Sequence, residues 1–255
     1  SDKLNRSTMF NVFHISFQPI KLTSLRTKKF IPTQIERNYV NETLDFAYAM
    51  TFGKDGEHRK YRSGGSHTRK NGEVFCDTFQ GKLAEYFVYQ ELISIGVDCP
   101  KPDIEKWGLG KWDEEDFSIN NKLINVKSMA FFSNLLLLET KDWDETGKYI
   151  PNNKSYDYFF VVRIKPELKK EFRNQRMLYS DDISFERIKS VFEKQSFFAD
   201  IPGYVTNSFL KEKIQEKQIL PKGSMLNGRI KMDAENFYIL SSDFEEFKNV
   251  KQFLI

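Results

Sequence analysis

Residues 116–129 read DFSINNKLINVKSM, and the fold turns on how this stretch is taken. Apolar and polar residues alternate on both sides of Asn120-Asn121-Lys122, which predicts two short strands around a tight turn. Paired asparagines tolerate the left-handed backbone that a tight hairpin needs. In the second strand Ile124 and Val126 face one way, toward a core. Asn125 and Lys127 then share the other face, toward a cleft. Folding the hairpin brings the start of the first strand near position 125, so Asp116 approaches Asn125.

Outward from the hairpin, further elements can be read. DTFQGKLAEYFVYQELISIG (77–96) is the clearest helix, with Leu83, Phe87, Leu92 and Ile95 near one stripe and Tyr86 beside them. Asp77 or Thr78 is the expected cap and Gly96 the expected end. A shorter helix is expected over 41–50, capped by Asn41. The segment MFNVFHISF (9–17) alternates like a strand. FFSNLLLL (131–138) reads as a buried strand, and 139–155 as a polar loop in which DWDETGK (142–148) lies at the surface. YDYFFVVRI (156–164) is continuously apolar and rich in aromatic and β-branched residues, the pattern of a central strand. Helices are expected over 182–195 and 207–218, then a last strand within 236–247. This order predicts an α/β (α+β) domain with a mixed β-sheet flanked by helices.

The 255 residues suffice for one large domain with a sizeable core. We read a single domain over 1–255, with an N-terminal part (1–75), a central core (76–165) and C-terminal helices with a final strand (166–255). The formal net charge of +3 is too small to imply a nucleic-acid partner by itself. Its distribution says more. GKDGEHRKYRSGGSHTRKNGE (53–73) holds five Gly, six Lys or Arg and two His among almost nothing apolar. Such a basic loop, with hydroxyls interleaved, can donate many hydrogen bonds to phosphates. Arg59, Lys60, Arg62, Ser66, His67, Arg69 and Lys70 are the candidate DNA contacts, with Arg59, Arg62 and Arg69 foremost.

Cys76 and Cys99 match no zinc spacing, and the three histidines are scattered. Two buried thiols in a reducing, cytoplasmic setting are expected. No apolar run approaches a membrane span, no signal-peptide pattern is visible, and no phosphate-loop motif points to a nucleotide cofactor.

An acid, a spacer, then a strand bearing residue-X-Lys resembles the PD-(D/E)XK nuclease superfamily. Asp116 matches its first acid and Lys127 its lysine. QGKLAE (80–85) sits where many of these nucleases carry a helix glutamate that reaches the metal, which gives Glu85 that place. The likeness spans roughly 77–165, and 203–239 is similar in feel to the C-terminal part of several type II restriction enzymes. The resemblance implies a restriction-endonuclease-like core and Mg²⁺-dependent cleavage of double-stranded DNA. It also implies a homodimer in a bacterial or archaeal cytoplasm. Asp116, Glu85 and Asn125 would hold the metal, and Lys127 would orient or activate water. Ser128 would touch a neighbouring phosphate.

Asn125 departs from the pattern, which has Asp or Glu there. Three explanations stand: Glu85 or an acid of DEED (113–116) supplies the charge; Asn125 replaces a native acid; or the domain is a catalytically silent DNA-binding module. A structure-directed repair or junction nuclease is a further alternative.

Overall fold

The computed structural model describes residues 27–53, 68–104, 116–226 and 230–255. The expected strand at 9–17 and the candidate DNA contacts Arg59, Lys60, Arg62, Ser66 and His67 lie outside them. So do the acids at 113–115.

The chain is a mixed α/β fold built on a five-stranded mixed sheet. Its strands are β1 (Thr33–Gln34), β2 (Phe117–Ile119), β3 (Lys122–Ala130), β5 (Tyr158–Lys165) and β6 (Phe198–Thr206), in the order β1-β6-β5-β3-β2. β3 and β5 run parallel, and the other pairs are antiparallel. β5 is central, and its alternation buries both faces. Phe160, Val162 and Ile164 enter one core, and Phe159 and Val161 enter the other. A strand buried on both sides reads as a largely apolar run, as 156–164 does apart from Asp157 and Arg163.

The first core lies under α1 (Arg37–Phe52) and α2 (Asn71–Ser94). α2 extends about 36 Å, and Phe75, Phe79, Leu83, Phe87 and Leu92 along it are buried. The second core lies between the main sheet and a three-stranded sheet, β4 (Leu135–Glu139), β10 (Asn236–Leu240) and β7 (Ile219–Leu220). Leu136, Leu138, Trp143, Phe237 and Ile239 fill it, together with Leu210 of α5 (Asn207–Gln215). A small hairpin, β8 (Met225–Leu226) with β9 (Ile230–Lys231), precedes β10. α3 (Leu168–Asn174), α4 (Phe185–Phe192) and α6 (Lys251–Leu254) complete the chain.

Several expectations are corrected here. α2 begins at Asn71, so Asp77 and Thr78 lie inside it, and the amide of Lys70 donates to Glu73 Oε2 (3.0 Å) at its true start. Asn41 is likewise interior to α1, whose cap is Glu36. Gly96 does end α2: its φ of 79° is left-handed, and its amide donates to Ile93 O (2.9 Å). The loop 139–155 is not simply a solvated surface. Trp143 is buried within it and bridges to Tyr149.

Gly72 shows how closely α2 is seated. A Cβ there would stand 2.2 Å from Met177 O and 2.6 Å from Leu178 O. Its amide donates to Ser180 O (2.9 Å). Gly72→Ala is therefore expected to cost about 1–3 kcal/mol through overpacking, read as a lowered urea midpoint. An unchanged midpoint would show that the segment after α3 yields freely.

Candidate active site

The hairpin forms as its asparagines require. Asn120 and Asn121 have φ of 47° and 59°, giving a two-residue loop with both central residues left-handed. Asn120 Nδ2 also donates to Leu254 O (2.7 Å), which ties the turn to α6. The register pairs Phe117 with Ile124 and Ile119 with Lys122, and one further step sets Asp116 opposite Asn125. There the Asp116 carboxylate takes the place of a backbone partner: Val126 N donates to its Oδ2 (2.5 Å).

Faces follow from the alternation. Phe117, Ile119 and Ile124 are in the first core, with Val126 packed against it. Ser128 lies on this same face and accepts from Gln80 Nε2 of α2 (3.3 Å). Leu123 and Met129 pack against the second core instead. Asn125 and Lys127 alternate with them and share that face. Asp116 shares it too, being on the side of β2 opposite Phe117 and Ile119.

Lys127 is half-buried, with its ammonium 6.0 Å from the centre of the Tyr149 ring. It makes no salt bridge among the described residues. Burial lowers its pKa, while the charges of Asp116 and Asp142 pull it back up. A lysine partly removed from water, under the charge of nearby carboxylates and with no salt bridge among the described residues, is a candidate functional residue. Beside it, Asn125 Oδ1 is buried and has no hydrogen-bond partner among the described residues. A buried amide oxygen without a donor is costly unless something else fills that role.

The reading from sequence missed Asp142, having placed it on a surface loop. It ends a turn of 3₁₀ helix, Thr140–Asp142. Its carbonyl accepts from Ile150 N (2.9 Å). The next residue, Trp143, anchors the segment against Phe159 (ring centres 5.2 Å apart) and Tyr149 (5.0 Å). A tryptophan in an otherwise polar loop was the signal for this docking. Glu139 and Asp233 extend the acidic neighbourhood beyond Asp142. Burial raises the Glu139 pKa, Lys141 opposes the rise, and both aspartates add to it.

The other candidates are placed differently. Glu85 pairs with Lys82 Nζ (2.5 Å), which lies over the Phe46 ring at 5.2 Å, in the seam between α1 and α2. That seam is on the helical side of the main sheet, whereas Asn125 and Lys127 point from the other side. Ser128 also faces α2. The structure thus brings Asp116, Asn125 and Lys127 together and leaves Glu85 and Ser128 apart from them. Arg69 pairs with Asp77 (2.9 Å) at the start of α2, and Lys70 with Asp181 (2.6 Å).

Among the described residues, no three His, Cys, Asp or Glu side chains are clustered to hold a metal. Mg²⁺ does not demand such a cluster, because it binds through one or two carboxylates and keeps several waters. Asp116 and the unpartnered Asn125 Oδ1 share a face with Lys127, and Asp142 is near enough for its charge to act on that lysine; all three offer the hard oxygen donors that Mg²⁺ takes. No helix among the described residues is long and apolar enough to cross a membrane. Compared with protein-family models, curated proteins and solved structures, the chain matches none.

Proposed function

We propose that this chain is a Mg²⁺-dependent endonuclease that hydrolyses phosphodiester bonds in double-stranded DNA, resembling type II restriction enzymes. The observation that carries this reading is Lys127, which lacks a salt bridge among the described residues and shares a face with Asp116 and the unpartnered Asn125 Oδ1. Asp116 and Asp142 would hold the metal, with Asn125 Oδ1 as a neutral third donor. Asp142 then supplies the charge that Asn125 lacks. When bound, Mg²⁺ would offset phosphate charge and polarise the phosphorus-bound oxygens.

The protein groups do the rest. The Lys127 ammonium donates to the attacking water and orients it. It also stabilises the negative charge that builds on the phosphoryl oxygens, and does so more strongly for being partly desolvated. Asp116 holds its orientation through the Val126 amide. The basic segment 53–73 would add phosphate contacts, and a two-fold site would suit a homodimer.

The test is incubation of supercoiled plasmid with the purified chain, with Mg²⁺ or with EDTA. Nicked and linear products that require Mg²⁺ are expected, and discrete fragments would mark sequence specificity. A preference for branched DNA without fixed fragments would mark a structure-directed nuclease.

A second reading is a catalytically silent DNA-binding module, and the neutral Asn125 favours it. Asn125→Asp separates the two. If the site is active, adding a ligand charge is expected to lower the Mg²⁺ concentration for half-maximal cleavage about ten-fold. An inert chain made active by that change would show that the present chain has lost its acid at 125. Inertness both before and after the change would leave the silent module.

A further inference from the structure

We propose that the turn joining β3 to β4 is a stacking platform for unpaired bases of a nucleic-acid strand, with Phe132 as its outer ring. The turn is well fixed. Phe131 N donates to Ile164 O (3.2 Å), and Ser133 N donates to Ala130 O (2.8 Å). On it, Phe132 is 55 % exposed, which is far from the usual fate of a phenylalanine in a fold with this much aromatic core.

The rings behind it form a cluster of edge-on and tilted contacts. Phe131 packs edge-on to Phe132 (centres 5.3 Å apart) and against Phe30 (5.8 Å). Lys165 Nζ lies over Phe131 at 5.4 Å, and the Arg163 guanidinium over Phe30 at 5.6 Å. Exposed Ile31 extends the apolar surface beside Phe30, and exposed Lys29 and Lys165 flank it. Lys165 makes no salt bridge among the described residues, so its charge is available to a phosphate.

This combination selects the ligand. An aromatic face has nothing to offer the phosphates that line the outside of a duplex, whose bases are already stacked on each other. Unpaired bases present their own faces, and stacking on an aromatic side chain beside cations is how sequence-tolerant single-strand binders hold them. The platform also lies in line with the candidate active site. Phe131 is the first residue beyond β3, four residues after Lys127, or about 13 Å along the strand direction at the usual rise. The choice of a nucleic-acid ligand rests on the reading of that site, but the platform does not require hydrolysis.

The experiment measures binding of a fluorescent oligothymidine and of a duplex, without divalent metal, by the wild type, Phe132→Ala, Phe132→Trp and Lys165→Ala. Single-strand affinity is expected to fall about ten-fold in Phe132→Ala and to be kept in Phe132→Trp, with duplex affinity unchanged. Lys165→Ala is expected to flatten the dependence of log affinity on log salt by about one. Since Phe132 and Lys165 are exposed, unchanged thermal midpoints are expected to accompany these losses. Single-strand binding that is indifferent to Phe132, or equal losses on both ligands, would overturn the platform. So would a Phe132→Ala chain that changes only its state of self-association. Cleavage by a Phe132-insensitive chain removes the platform alone, and Phe132-sensitive binding without cleavage removes the hydrolase reading alone.

Discussion

Lys127→Met is expected to lower Mg²⁺-dependent plasmid cleavage by about 10²–10³-fold, the usual loss when a group that stabilises transition-state charge is removed. The same substitution is expected to leave the thermal midpoint unchanged or higher. Burial lowers the Lys127 pKa, which means that the folded state disfavours the charged form. At neutral pH the lysine still carries its proton in the unfolded chain, so its burial is a net cost that methionine of similar length removes. Loss of activity with gain or retention of stability is the mark of a residue kept for chemistry. A merely structural lysine would show the reverse: a lowered midpoint, and cleavage lost only in proportion to the unfolded fraction. Lys127→Arg is expected not to rescue, because a broad planar guanidinium cannot take the position of a compact ammonium.

Asp200→Ala is expected to cost about 3–5 kcal/mol, the largest stability loss of any single change considered, because it strands a buried guanidinium. Arg163 is 1 % exposed. Its Nε donates to Asp200 Oδ1 (2.8 Å) and one terminal nitrogen to Asp200 Oδ2 (2.5 Å), a two-pronged pair across β5 and β6. The remaining donors reach the carbonyls of Lys28 (2.7 Å) and Lys29 (2.9 Å), while Asp200 Oδ2 also accepts from Ile31 N (2.9 Å). One ion pair therefore fastens the segment 28–31 to the centre of the sheet. Urea titration measures the loss, and a cost below about 1 kcal/mol would place the pair among solvated surface bridges. Arg163→Lys is expected to recover little, since a single ammonium cannot reproduce the forked geometry.

The hairpin was legible from the sequence because everything that specifies it is local. Asn120-Asn121 dictates the turn, and alternation with Ile124 and Val126 dictates the faces. β5 was legible for the opposite reason, since burial on both faces leaves a run of apolar residues interrupted only by the buried Arg163. β6 was not. Pro202 and Gly203 look like breakers within 198–206, yet the strand accommodates them, with an irregular register between Val161 and Arg163 on its neighbour. The start of α2 was also hidden. Gly72 is present for a close approach to 177 and 178, a long-range contact that carries no periodic signal.

The candidate site divides along the same line. Asp116, Asn125 and Lys127 come together through strand alternation, which the sequence displays. Asp142 comes near enough for its charge to act on Lys127 through the docking of Trp143 on Phe159, which depends on the second core and is invisible to local pattern. Glu85 sits on the expected helix, but its direction is set by Lys82 and by the packing of α1 on α2. That packing turns it away from the face it was expected to serve.

The most direct measurement is a time course of supercoiled plasmid conversion by the wild-type chain in Mg²⁺ and in EDTA. Lys127→Met and Asp142→Asn run alongside, after circular dichroism has shown all three chains folded. Conversion by the wild type in Mg²⁺ alone is expected, with both variants slower by about 10²-fold or more. Wild-type conversion that persists in EDTA, or that both folded variants match, would contradict a metal-dependent site built around Lys127.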